Sequence, residues 1–216
     1  MNLRALMVLC SVSITAATLT GSLHAASLTT ADGLVAVQSR NLDELYLRPD
    51  ANLGVYRKIM VDPVGVGFHK DWLRYGAYMA VRPVGEEHAR RIAYDIAADA
   101  QANIAEAFKA RGYEIVNAPG PGVLRLSPGV ADLYVNAPDR LSPFRTRAFT
   151  REAGQAVLVL DVRDAVSGTL LGRVAHLGIA EQMGRFMRAN DVSNRFWFDA
   201  LSRRWAASCA AELGPH

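Results

Sequence analysis

Between Glu86 and Ala110 the apolar residues return every fourth position: Ile92, Ile96, Ala100, Ile104 and Phe108, with Ala93, Ala97 and Ala107 beside them. A spacing of four in an otherwise charged stretch places one apolar stripe on a helix, and such a stripe has to be buried. Glu86 and Glu87 occupy the end where the helix dipole favours negative charge. Lys109 and Arg111 occupy the other end, and Gly112 follows as the residue that closes the helix. A helix of this kind lies on a sheet, so the rest of the chain is read for strands.

The run Tyr56-Arg57-Lys58-Ile59-Met60-Val61-Asp62-Pro63-Val64-Gly65-Val66-Gly67-Phe68 is read as the central strand that this helix covers. Proline fixes φ and removes a backbone donor. The strand therefore changes partners at Pro63 or lies at a sheet edge there.

Other strands follow from alternation and turn residues. A short one is expected at Leu45-Tyr46-Leu47-Arg48, stopped by Pro49-Asp50, in a polar arm spanning 26–53. Further pieces are expected at 113–116, at 123–126 after the Pro-Gly-Pro-Gly turn of 119–122, and at 131–136. In the last, Ala131, Leu133 and Val135 share one face and Asp132, Tyr134 and Asn136 the other. Residues 155–162 and 169–177 form a hairpin around Asp164-Ala165-Val166-Ser167-Gly168. The run 156–160 is apolar on both faces, as in an interior strand covered on each side. A second helix, capped by Asp191 or Ser193, stacks Trp197, Leu201, Trp205 and Cys209 and ends at Gly214-Pro215. The expectation is an α+β fold, a two-layer sandwich with a mainly antiparallel mixed sheet of about six strands under two long amphipathic helices.

Residues 1–25 have the form of a cleavable signal peptide: Arg4, an apolar run to Leu19, then small residues before Leu23-His24-Ala25. No later segment approaches the roughly 20 apolar residues of a membrane span. Cys10 lies inside the apolar run and Met7-Val8-Leu9 before it lacks small residues, so no lipid anchor is expected. Cleavage leaves residues 26–216: the arm of 26–53 and a single α+β domain over 54–216. The whole chain carries 24 Lys and Arg against 21 Asp and Glu, a balance that argues against nucleic acid or a polybasic membrane anchor as partner. Cys209 is then the only cysteine, which excludes an internal disulfide, and it is read as a small buried hydrophobe.

The sequence lacks a phosphate-binding glycine loop, a Gly-x-Ser-x-Gly elbow and a His-Glu-x-x-His motif. No His lies three or four residues from another His or a Cys, so no metal or other cofactor is expected. His69, with Asp62 and Asp71 nearby, is the best acid/base grouping; His88 and His176 are read as structural. The stretch 137–153 has no periodicity and interleaves Arg140, Arg145, Arg147 and Arg151 with Phe144 and Phe149. Guanidinium groups so placed bind a phosphate, a carboxylate or an anionic glycan; the plainer reading is a solvated loop with its phenylalanines tucked under it. Met183, Phe186 and Met187 are read first as core packing and second as an apolar ledge for a partner.

Four stretches together resemble a family of exported bacterial proteins of unknown function, the one numbered 3313. They are Leu47-Arg48-Pro49 with Tyr56 to Val64, Ala131-Asp132-Leu133-Tyr134-Val135-Asn136-Ala137, Leu158-Val159-Leu160-Asp161-Val162-Arg163-Asp164 with Ser167-Gly168, and Asn194-Arg195 with Trp205-Ala206. The resemblance implies an envelope protein without an established activity or catalytic residues. Many members look like lipoproteins, and this chain departs from them in its signal. The hairpin and the long helix are also similar to small α/β domains of envelope-assembly lipoproteins, some of which form rings, a likeness of architecture alone.

The expected function is that of a non-enzymatic periplasmic or secreted protein that binds a protein or envelope partner, possible homo-oligomers through a strand edge included. The alternatives are a binder of an anionic lipid, glycan or small anion through Arg140, Arg145, Arg147 and Arg151, and a hydrolase built on His69.

Overall fold

The computed structural model describes residues 30–70, 72, 85–135, 149–150, 152–181, 187–188 and 191–214. In chain order its elements are β1 (Val35–Val37), β2 (Glu44–Leu47), a 3-10 turn (Leu53–Val55), β3 (Lys58–Val61), β4 (Gly65–Phe68), α1 (Glu86–Ala110) and β5 (Glu114–Ile115). β6 (Val123–Val135), β7 (Phe149–Thr150), β8 (Glu152–Asp164), β9 (Leu170–Glu181), β10 (Met187–Arg188) and α2 (Asp191–Leu213) complete them. An eight-stranded sheet runs β1-β2-β9-β8-β6-β3-β5 with β4 also on β6, and β7 pairs with β10 apart from it. β3 and β4 run parallel to β6, and β5 parallel to β3. The other pairs are antiparallel. This is the expected α+β two-layer sandwich.

Helix α1 forms where its periodicity places it. Ala89, Ile96, Ala100, Ile104 and Phe108 are buried, and Ile92 and Ala97 pack at the rim of the core. Gly112 follows the helix at φ +89°, a left-handed conformation that costs glycine nothing and a residue with a Cβ about 1 kcal/mol.

The central run divides at Asp62–Val64. β3 lies between β6 and β5, whereas β4 pairs with β6 alone, so both sequence alternatives at Pro63 hold in part: one neighbour is kept and the other lost. Asp62 ties the break to β6. Its amide donates to the Leu126 carbonyl (2.8 Å), while Ser127 Oγ (2.6 Å) and Arg125 Nε (2.8 Å) donate to its carboxylate.

β6 corrects the sequence reading twice. The expected pieces at 123–126 and 131–136 are one thirteen-residue strand that runs through Pro128. Register explains why proline is tolerated: Leu126 is level with Val61 and Gly129 with Gly65, so Pro128 lies alongside the interval where neither β3 nor β4 has a strand residue. The alternation then inverts. Leu124, Leu126 and Val130 are buried, and after them Leu133 and Val135, so Ala131 does not share the face of Leu133. Asp132 stands between at φ +49°, and the ladders to β8 and β4 both shift register there. This is a bulge, which hands the buried face from even to odd positions.

The helices cover one face of the sheet. Core residues Ile59, Leu126, Leu158, Leu160 and Val174 face them, with Ala156 and Ala180. The opposite residues of β8, Val157 and Val159, are only half-buried. β8 is therefore interior in the plane of the sheet, between β9 and β6, but among the described residues no element covers its second face as its apolar run implied. On α2 the buried stripe is broader than expected: Phe198 joins Leu201, Trp205 and Cys209, Ser202 and Ala206 fill the adjacent row, and Trp197 sits at the rim. Asp191 and Ser193, named as caps, fall inside the first turn of the helix as it forms.

Candidate functional site

The face of the sheet that no described element covers, called the uncovered face below, has two halves. Toward the β8–β9 hairpin it is charged. Arg173 pairs with Asp161 (2.7 Å) and Asp32 (2.9 Å), Arg163 with Asp161 (2.9 Å), and Arg125 with Asp62 (2.8 Å). Arg125 and Arg163 are direct cross-strand neighbours, an unfavourable placement for like charges unless each is neutralised separately. Asp62 does this for one and Asp161 for the other. Hydrogen bonds from Arg173 and Arg163 hold the Asp161 carboxyl below its ordinary range against the opposing effect of burial. The belt matches three guanidinium groups with three carboxylates.

The other half is apolar. Leu177 lies opposite Val157, and Ile179 opposite Gln155, on adjacent β9 and β8. Leu177 is 53% exposed and Ile179 39%, although both are large apolar residues in regular strands. Side chains of this kind at neighbouring positions are the informative kind of exposure, in contrast to scattered single residues.

The strand edges bordering this face are blunted. Beyond the end of β2, the Leu177 amide donates to the Asp43 carboxylate (2.9 Å) and the Ile179 carbonyl accepts from Arg204 (3.0 Å). The Leu177 amide is also the main cause that holds the Asp43 carboxyl below its ordinary value. His176 Nδ1, 3.0 Å from Asp43, adds to it. At the sheet ends β1 has three residues and β5 two. Charged side chains and short end strands are the usual devices against strand addition.

A second feature is a small cleft of about 60 Å³ between the N-terminal turns of α1 and α2, at the end of β6. Ile92, Ile96, Val135 and Phe198 form its apolar lining, with His88, Arg91, Asp95, Asn194 and Arg195 around them. The two helices are held together beside it by side chains at helical spacing. Arg195 makes a fork to Asp99 (3.0 and 3.1 Å) and approaches Asp95 (3.6 Å). Asn103 donates to Asp199 (2.9 Å) and to Ser202 (2.6 Å).

The residues named from sequence fare unevenly. Arg140, Arg145, Arg147 and Arg151 lie outside the described residues, as do Asp71, Met183 and Phe186. His69 follows β4, its ring edge-on to Tyr134 (6.4 Å), while Asp62, its expected partner, is engaged by Arg125 and Ser127. Cys209 is buried, and burial pushes its thiol up to about 12. No three His, Cys, Asp or Glu side chains converge as metal ligands would, and no helix is long and apolar enough to cross a membrane, among the described residues. Sequence reasoning missed the cleft. Its signal was Asp95, Asp99 and Asn103 at four-residue spacing on one helix and Arg195, Asp199 and Ser202 on the other.

Several solved structures are similar at low identity. A PelC dodecamer from Paraburkholderia phytofirmans, solved as a point variant, is 9% identical, with a TM-score of 0.41 over 84% of this chain and 98% of that one. A putative neuraminyllactose-binding hemagglutinin homolog from Helicobacter pylori is 10% identical, with a TM-score of 0.37 over 76% and 86%. A minor lipoprotein from Acinetobacter baumannii is 11% identical, with a TM-score of 0.34 over 74% and 98%. No curated protein matches the sequence. A family model does match, over residues 24–207, and the chain therefore belongs to the DUF3313 family, proteins of unknown function.

Proposed function

We propose that this is a non-enzymatic protein of the bacterial envelope, exported through a leader at residues 1–25, that works by holding a protein partner against the uncovered face of its sheet. The observation that carries this reading is the exposed pair Leu177 and Ile179 beside half-buried Val157 and Val159. The occupant that fits best is a second copy of the chain. A two-fold contact sets like surface against like. Here it would bring apolar half to apolar half, and the belt of matched Arg and Asp side chains adds no net charge to oppose it. The reading departs from strand-edge pairing, because Asp43 and Arg204 occupy the edge groups of β9 next to the apolar half.

The test is sedimentation equilibrium on the purified mature chain. Self-association that is lost in the double variant Leu177→Glu, Ile179→Glu, with the thermal unfolding midpoint retained, supports the proposal. A clean monomer at high concentration that recovers no envelope protein in a pull-down overturns it.

A further inference from the structure

The apolar half of the uncovered face is not level. From β9 through β8 to β6, one row holds Leu177, Val157 and Ala131, and the next holds Ala175, Val159 and Gly129. Gly65 of β4 continues the second row beside Gly129. The larger side chains therefore stand on β8 and β9, and the smaller residues lie on β6 and β4. Nothing fills the low side. Gly65 is exposed, and a Cβ there would have no atom within 4 Å; at Gly129 a Cβ would meet only the Gly65 and Val159 carbonyl oxygens, at 3.8 and 4.0 Å. Charge is graded in the same direction: Arg173 of β9 shares a row with Asp161 and Ser127, and Asp62 bonds to Ser127 from the far side of β6.

A ridge beside a trough limits how two like faces can meet. Aligned sheets keep their strand directions within about 30°, so a two-fold axis between them runs either across the strands or along them. An axis across the strands sets β9 on β9 and β6 on β6, which crowds ridge against ridge and leaves the troughs empty. Overpacking and voids both cost stability. An axis along the strands, between β6 and β8, sets β8 on β6 and β9 on β4, so each ridge enters the other trough. Arg173 then stands over the partner's Asp62. One row further Arg163 faces the partner's Arg125, each neutralised by its own carboxylate.

We propose that two copies pack about a two-fold axis that runs along the strands between β6 and β8, with Val159 over the partner's Gly129 and Ala175 over the partner's Gly65. This arrangement rests on the reading of the face as a contact between copies, and adds its register.

Sedimentation equilibrium and a short bis-maleimide test it on protein prepared without residues 1–25. Ala175→Cys mixed with Gly65→Cys should give a cross-linked dimer that neither variant gives alone, Cys209 being buried. Gly65→Leu, at an exposed position, should weaken self-association about tenfold or more, the scale of overpacking, with the thermal midpoint retained. Ala175→Cys cross-linking to itself, or Gly65→Leu associating as tightly as wild type, overturns the arrangement. If Leu177→Glu with Ile179→Glu still abolishes association in that case, the contact at the sheet face stands and only its register falls. A clean monomer overturns both.

Discussion

The Tyr56 hydroxyl donates to the Asp164 carboxylate (2.9 Å), joining the entrance of β3 to the first residue of the β8–β9 turn across 108 positions of sequence. Asp164 organises that turn at the same time. It accepts from the amides of Val166 (3.0 Å) and Ser167 (2.7 Å) and from the Ser167 hydroxyl (2.9 Å). The Ser167 amide is the leading reason its carboxyl is held below the ordinary range, with Tyr56 a smaller one. Burial and then Asp164 push the Tyr56 phenol up to about 12.

Tyr56→Phe should therefore lower stability by about 1 kcal/mol, the usual net worth of such a bond. Because the phenol is raised from 10.0 to about 12, its contribution is complete below the unfolded value and is lost as pH climbs between the two. Urea midpoints of wild type and Tyr56→Phe should differ at neutral pH and converge over that alkaline interval; curves that stay parallel would show that the phenol is not coupled to folding.

Asp161 gives the opposite dependence. Arg173 and Arg163 lower its carboxyl from an ordinary 3.8, so the stability it confers is present above that value and falls away as acid titrates the folded protein. Asp161→Asn should be less stable than wild type near neutrality, with the difference shrinking below pH 3.8. A difference unchanged by acid would place the effect in packing instead of charge.

Gly154 and Gly178 are among the glycines held by contacts that a Cβ would violate. At Gly154, φ is +151° and a Cβ would lie 2.0 Å from the Tyr134 carbonyl oxygen; at Gly178 it would meet Leu201 Cδ1 at 2.5 Å and Trp205 Nε1 at 2.7 Å. Alanine at either position should cost about 1–3 kcal/mol, through strain or overpacking. Thermal melting of the single variants measures this. Gly65→Ala, with no atom within 4 Å of its Cβ, serves as the tolerant control.

Cys209 should be inert in the folded protein prepared without residues 1–25. Its thiol is buried and pushed up to about 12, and the thiolate is the reactive form. DTNB should release no colour at neutral pH until guanidinium is added, then one equivalent. Rapid reaction of the native protein would place the thiol at the surface.

Phe108→Ala should destabilise by about 3–5 kcal/mol, among the largest single losses in the core. Its ring is fully buried and meets Tyr113 edge-on at 5.7 Å. Chemical denaturation of the variant reads this directly.

Much of the architecture was legible in local patterns. The fourfold spacing from Ile92 to Phe108 marked α1 and its buried side, and Gly112 marked its end. Alternation and the Asp164 to Gly168 turn marked the hairpin, where Gly168 adopts φ +71°. Neither candidate site was legible in that way. The cleft needs Ile92 and Phe198 side by side, and the sheet face needs Leu177 beside Val157, contacts that no periodicity within one element encodes.

Spacing within a few residues was enough to set the elements and the covered side of α1, because a helix stripe and a tight turn are local patterns. Tertiary structure decided how β6 is used. Pro128 continues the strand because β3 and β4 leave an interval beside it, and Asp132 turns the buried face over because β8 and β4 shift register together. It also decided that Val157 and Leu177 share an uncovered face, although the run around Val157 reads as an interior strand. Alternation assigns residues to two faces, but which face a helix covers is settled by elements distant in the chain.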